Sequence, residues 1–108
     1  MTICNIADAK GWFEILQTTE RTQTAVMVLS PDGHSSEEMN THKHSDQVLL
    51  LLEGTLEAEV GGNKQTMRKG DTCIVPAGTP HRFSNCGKTR AVTFNTYSPP
   101  EYPPNEKG

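Results

Sequence analysis

The chain has 108 residues, enough for one compact domain. Ten Lys and Arg stand against thirteen Asp and Glu, a formal net charge of −3, so no basic stripe is offered to a nucleic-acid backbone. Hydrophobic residues make up 33%, with only three Phe, two Tyr and one Trp; so thin a core gains from burying more surface in an oligomer.

The first fifteen residues carry Asp8, Lys10 and Glu14, which argues against a secretory leader. Residues 11–19 read as an early strand whose large apolar side chains on both faces suit either a dimer seam or an ordinary core strand. Ala25, Met27 and Leu29 are then read as one face of an alternating strand with one wet face. The run Val48-Leu49-Leu50-Leu51-Leu52 does not alternate, as expected of a strand covered on both faces. It is the longest apolar run, and five residues fall far short of the ~20 that cross a bilayer as a helix. Leu56, Ala58 and Val60 alternate with Glu57, Glu59 and Gly61, and Val92-Phe94-Thr96 alternate in the same way. Turn signals such as Gly61-Gly62-Asn63 and Lys69-Gly70-Asp71 recur about every 7 to 9 residues between Gly54 and Asn85, the spacing of a sandwich or barrel. No repeat or linker interrupts the chain, so residues 1–108 are read as a single domain. Pro99, Pro100, Pro103 and Pro104 cannot donate to a ladder, so the tail 98–108 is expected to be extended or disordered. Cys4, Cys73 and Cys86 form no CxxC pair, which points away from disulfides and zinc knuckles and toward a reducing, cytoplasmic compartment.

Chemistry concentrates in the histidines. In a strand, the side chains of His42 and His44 would share a face about 7 Å apart and grip one ion, since imidazole suits Zn, Mn, Fe or Ni; the alternative is two solvated polar residues. Further on, Gly70, Pro76, Gly78, His81 and Asn85 follow the pattern G-x5-P-x-G-x2-H-x3-N. This stretch resembles the second motif of the cupin family. The family's first motif, G-x5-HxH-x3,4-E-x6-G, is matched at His42, His44 and Gly54, with Gln47 in place of its Glu. Two departures stand out. The opening glycine would fall at Ser36, and only two residues separate His44 from Gln47, so a bulge at Ser45-Asp46 is needed to bring both to one side. The H-x-H-x-D-Q pattern and the Tyr97-Ser98-Pro99-Pro100 ending look like stand-alone cupins of mannose-6-phosphate-isomerase-like type.

The resemblance covers residues 24–97 and implies an all-β double-stranded β-helix, a jelly-roll barrel, forming a homodimer. It further implies one divalent metal ion (Zn, Mn, Fe or Ni) held by His42, His44, Gln47 and His81. With no carboxylate among these ligands the local charge is about +2, which favours an anionic ligand. The implied function is a metal-dependent enzyme, of dioxygenase or isomerase type, on an anionic or polyhydroxy small molecule; the alternative is a non-catalytic small-molecule-binding module. Among other residues, His34 reads as an exposed turn residue, Asp46 as solvated or a turn cap, and Asn85 as a turn cap. Glu38 and Asn40 share strand parity with His42, Tyr97 and Arg82 are candidates for a cavity rim, and Cys73 and Cys86 read as buried free thiols. No Ser/His/Asp arrangement or phosphate-binding glycine loop occurs.

Overall fold

A computed structural model describes residues 1–104. After a short 3-10 turn, Ile6–Asp8, the chain is all β. The strands are β1 (Phe13–Thr18), β2 (Gln23–Leu29), β3 (Asp46–Glu53), β4 (Thr55–Val60), β5 (Asn63–Arg68), β6 (Thr72–Val75), β7 (His81–Ser84) and β8 (Ala91–Ser98). They form a five-stranded sheet, β1-β2-β8-β3-β6, and a three-stranded sheet, β5-β4-β7, with every pairing antiparallel. Leu49, Leu51, Leu56, Met67, Val75 and Phe83 fill the space between the sheets. No helix among the described residues is long and apolar enough to cross a membrane.

The expected closed jelly-roll barrel does not form. The double-stranded arrangement is present as two separate sheets, with no strand pairing that joins them among the described residues. On one side β5 lacks the apolar residues to continue around: Asn63, Lys64, Gln65, Thr66 and Arg68 are exposed and only Met67 is buried. On the other side, the free edge of β7 is taken by the loop before β3, through bridges His34–Ser84 and Asn40–His81, rather than by a strand of the larger sheet.

Gly54 turns the chain from the large sheet into the small one. Its φ is +85°, and a Cβ there would lie 2.5 Å from the Arg90 carbonyl oxygen, so only glycine fits. Asn85 caps the following turn as expected. Its Oδ1 accepts from Gly87 N and its Nδ2 donates to the carbonyls of Leu29 and Thr89.

Strand β8 reverses the expected facing. Ala91, Thr93, Asn95 and Tyr97 point inward and are buried, while Val92, Phe94 and Thr96 lie on the outer face. Strand β3 is likewise not covered on both faces. Leu49 and Leu51 enter the core, whereas Val48 is exposed and Leu50 only half-buried. Strand register lines up Thr24, Thr96, Val48 and Ile74 in one row across the outer face, and Val26, Phe94, Leu50 and Thr72 in the next. That face is therefore largely apolar, and Ile74 is 64% exposed on it.

Candidate functional site

Between the sheets lies a cavity of about 240 Å³. Its apolar lining is Trp12, Phe13, Met27, Phe83, Tyr97 and Tyr102, and its polar lining Ser35, Asn40, His42, Gln47 and His81, with the His42 ring 5.4 Å from that of Tyr97. The cavity thus gathers residues from both sheets, from the loop before β3 and from the C-terminal tail.

His42 precedes β3 in irregular chain, with its carbonyl accepting from Gly78 N at 2.7 Å. Its buried ring stands 4.8 Å from that of His81, centroid to centroid. His81 opens β7, and reciprocal backbone bonds to Asn40 hold it at 2.8 Å in each direction. The His81 Nδ1 lies 3.0 Å from the Thr79 carbonyl, which can only accept, so Nδ1 carries the hydrogen of the neutral ring. Burial lowers the His81 pKa below its ordinary value, and the neighbouring His42 adds to this; the Thr79 bond and Glu101 oppose it. Gln47 is 97% shielded, as its relative exposure is only 3%. Its Nε2 donates to Asn95 Oδ1, and its Oε1 is buried with no partner among the described residues.

The C-terminal tail completes the wall. Ser45 Oγ donates to the Pro99 carbonyl at 2.7 Å. Gln23, fully buried, accepts at Oε1 from the backbone N–H groups of Glu101 and Tyr102, and donates through Nε2 to the Tyr102 carbonyl and to Thr18 Oγ1. These bonds set the Tyr102 ring edge-on to Phe13 and Tyr97, at 5.1 and 5.2 Å. They also bring Glu101 Oε2 within 3.3 Å of His42 Nδ1. Burial pushes the Tyr97 phenol well above its ordinary value, with Tyr102 and Glu101 adding to the shift, so it stays protonated. The tail expectation also covers residues 105–108, which lie outside the described residues.

Three of the four expected ligands, His42, Gln47 and His81, meet at the cavity; His44 does not. It is exposed on a bend, because residues 41–45 are not a strand and the two-residue periodicity assumed for His42 and His44 does not apply. Among the described residues, no group of three or more His, Cys, Asp or Glu side chains is placed to hold a metal ion. Two imidazoles and one amide oxygen remain at the cavity, so the expectation of a formed four-ligand metal cluster is corrected.

Of the other candidates, Asn40 and Tyr97 line the cavity, whereas Glu38 and Arg82 do not. Arg82 pairs instead with Glu59 and with the Glu37 carbonyl. Asp46 Oδ1 caps Ala77 N, and His34 is exposed, with Nδ1 2.7 Å from Ser84 Oγ. Cys73 is half-buried and Cys86 exposed. Sequence reasoning missed Gln23, Thr93, Asn95, Glu101 and Tyr102. For Thr93 and Asn95 the available signal was parity with Tyr97 along β8.

Comparison with known proteins agrees with this geometry. The family model described as Cupin domain matches residues 25–97. Quercetin 2,3-dioxygenase of Bacillus subtilis is 28% identical over 94 residues, covering 73% of this chain and 28% of the relative. Auxin-binding protein ABP19b of Prunus persica is 33% identical over 66 residues, covering 56% of this chain and 32% of the relative. The chain thus spans about a third or less of these curated relatives. The crystal structure of BH2720 from Bacillus halodurans superposes with a TM-score of 0.89 at 22% identity, covering 98% of this chain and 86% of that one, a likeness of fold. With the matched family segment running from within β2 to within β8 and enclosing both cavity histidines, the chain belongs to the cupin family.

Proposed function

We propose that this protein is a small-molecule-binding cupin whose ligand sits in the cavity between the two sheets. The observation that carries the reading is the unpartnered Gln47 Oε1, buried in the wall of a cavity lined by both histidines and aromatic rings. A desolvated carbonyl without a partner is costly, and a ligand that reaches it recovers that cost. A volume of about 240 Å³ suits a single-ring ligand, being below that of drug-sized pockets. Two relatives carry names that refer to small organic molecules, quercetin and auxin, which supports a small organic ligand without bearing on ring number. Titration of the protein with single-ring aromatics, followed by calorimetry and Trp12 fluorescence, tests the reading. Saturable 1:1 binding without consumption of the ligand is expected. Consumption of the ligand, or of O2 in its presence, would replace binding with catalysis as the function.

We propose also that two copies pair through the outer face of the five-stranded sheet. Its aligned rows carry Val48, Leu50, Ile74 and Phe94 with threonines between them, flanked by the already buried Val26 and, from β1, by Glu14. Five strands spaced about 4.8 Å apart, each about 20 Å long, present a flat footprint of roughly 500 Å² before side-chain relief. That is of the order of the ~800 Å² per partner buried in a standard interface.

A further inference from the structure

The orphaned Gln47 carbonyl stands at the end of a buried relay with a fixed direction. Thr93 Oγ1 donates to the Met27 carbonyl at 2.9 Å. Asn95 Nδ2 donates to Thr93 Oγ1 at 2.9 Å, and Gln47 Nε2 donates to Asn95 Oδ1 at 3.0 Å. Thr93, Asn95 and Gln47 are all buried. The direction follows from the anchor, because a backbone carbonyl can only accept. Thr93 therefore gives its single hydrogen to Met27 and accepts from its neighbour. Asn95 must then turn its NH2 toward Thr93 and its oxygen toward Gln47. Gln47 must turn its NH2 toward Asn95, which leaves its carbonyl for the cavity. Reversing the relay would flip both amides and withdraw the Thr93 hydrogen from Met27, leaving two of these hydrogen bonds where the observed direction has three.

We infer that the Met27–Thr93–Asn95–Gln47 relay makes Gln47 an acceptor in the cavity wall, and so selects ligands bearing a neutral hydroxyl or N–H over carboxylates and ethers. The inference rests on the binding function proposed above and names its ligand class. His81 agrees with it: the bond from Nδ1 to Thr79 leaves Nε2 as an acceptor in the neutral ring. The Glu101 carboxylate beside His42 further disfavours an anion. This reverses the expectation from sequence, in which a charged centre would attract one. Thr93 and Asn95 touch no ligand in this scheme and act as positioning residues for Gln47.

Affinities for phenol, anisole and benzoate, three single rings differing in the polar group, test the inference on the full-length protein. Phenol is expected to bind about tenfold more tightly than anisole, since the ether leaves Gln47 Oε1 unpaired, and benzoate to bind weakest. Thr93→Val keeps the β-branched shape but removes the hydrogen that sets the direction, and should bring the phenol-to-anisole ratio toward unity. Gln47→Leu should abolish the ratio outright. A merely structural defect would lower both affinities together and leave their ratio intact. Equal affinity for phenol and anisole in the wild type, or a ratio unmoved by both substitutions, overturns the inference alone. Absence of saturable binding for all three probes overturns the binding function and the inference with it. Phenol binding that vanishes on adding EDTA would give the Gln47 oxygen to a metal and would also overturn it.

Discussion

Gln23 and Gln47 both project from the inner face of the five-stranded sheet, and both are buried. Gln23 uses its amide at both ends, in four hydrogen bonds that fasten the tail; Gln47 uses only its nitrogen. The first is structural and the second is poised for a ligand. Gln23→Leu should strand the Tyr102 carbonyl and two backbone N–H groups, and destabilise the fold by about 2–4 kcal/mol in urea denaturation. A loss within ±0.5 kcal/mol would mean the tail is not held there. His81 makes a second prediction. Its folded pKa lies below the ordinary imidazole value of about 6.5, so the unfolded chain binds the extra proton first. Stability should be level above neutral pH and fall as the pH drops from about 6.5 toward the lower folded value. His81→Gln should flatten that part of the profile, and a slope unchanged by the substitution would contradict the assignment. His42, Gln47 and His81 were singled out through the two motifs of the resemblance, that of His81 marked by Gly70, Pro76 and Gly78 and that of His42 and Gln47 by Gly54 alone, and they line one cavity. Thr93 and Asn95 were not singled out, because Val92 and Phe94 offer the stronger apolar signal and parity alone does not say which set faces the core.

At the scale of elements, Gly54 and the tail show what spacing conveys and what it omits. A glycine between two apolar strands signals a turn, and the structure adds why no other residue serves: positive φ together with the Arg90 carbonyl at the Cβ position. Gly54→Ala should therefore cost at least about 2 kcal/mol, from left-handed strain and displacement of the β8 entry, read as a lowered urea midpoint. A midpoint within error of wild type would show that the turn relaxes freely. Strand β8 runs through Ser98, the first residue of the expected tail, and among the described residues 99–104 no ladder continues past the prolines. They give no hint that side chains of Gln23 and Ser45 would bind its backbone instead, since those partners lie 78, 79 and 54 residues away in sequence. The strands themselves were readable from alternation and turns. Closure into a barrel was not, because it depends on edges meeting in space, and the polar β5 fails to supply one.

At the scale of the whole molecule, the five-stranded sheet leaves an outer surface of Val48, Leu50, Ile74 and Phe94, with Glu14 at its margin, that a second copy would cover. Light scattering after gel filtration should give twice the chain mass. The double substitution Val48→Lys with Ile74→Lys, at two exposed positions facing each other across β3 and β6, should give the single-chain mass with the far-ultraviolet circular dichroism unchanged. A wild-type protein that is monomeric at about 100 µM, or a dimer indifferent to both lysines, would rule out this pairing. The failure of the sheets to close has a colloidal side as well. It leaves β5 as an edge strand with one side unpaired by any described strand, the geometry that lets one molecule's ribbon extend onto another's. Lys64 and Arg68, with the polar run between Asn63 and Thr66, stand along that border as gatekeepers. The same hydrophilic strand that keeps the domain from rounding into a cylinder thereby guards it against fibrous stacking.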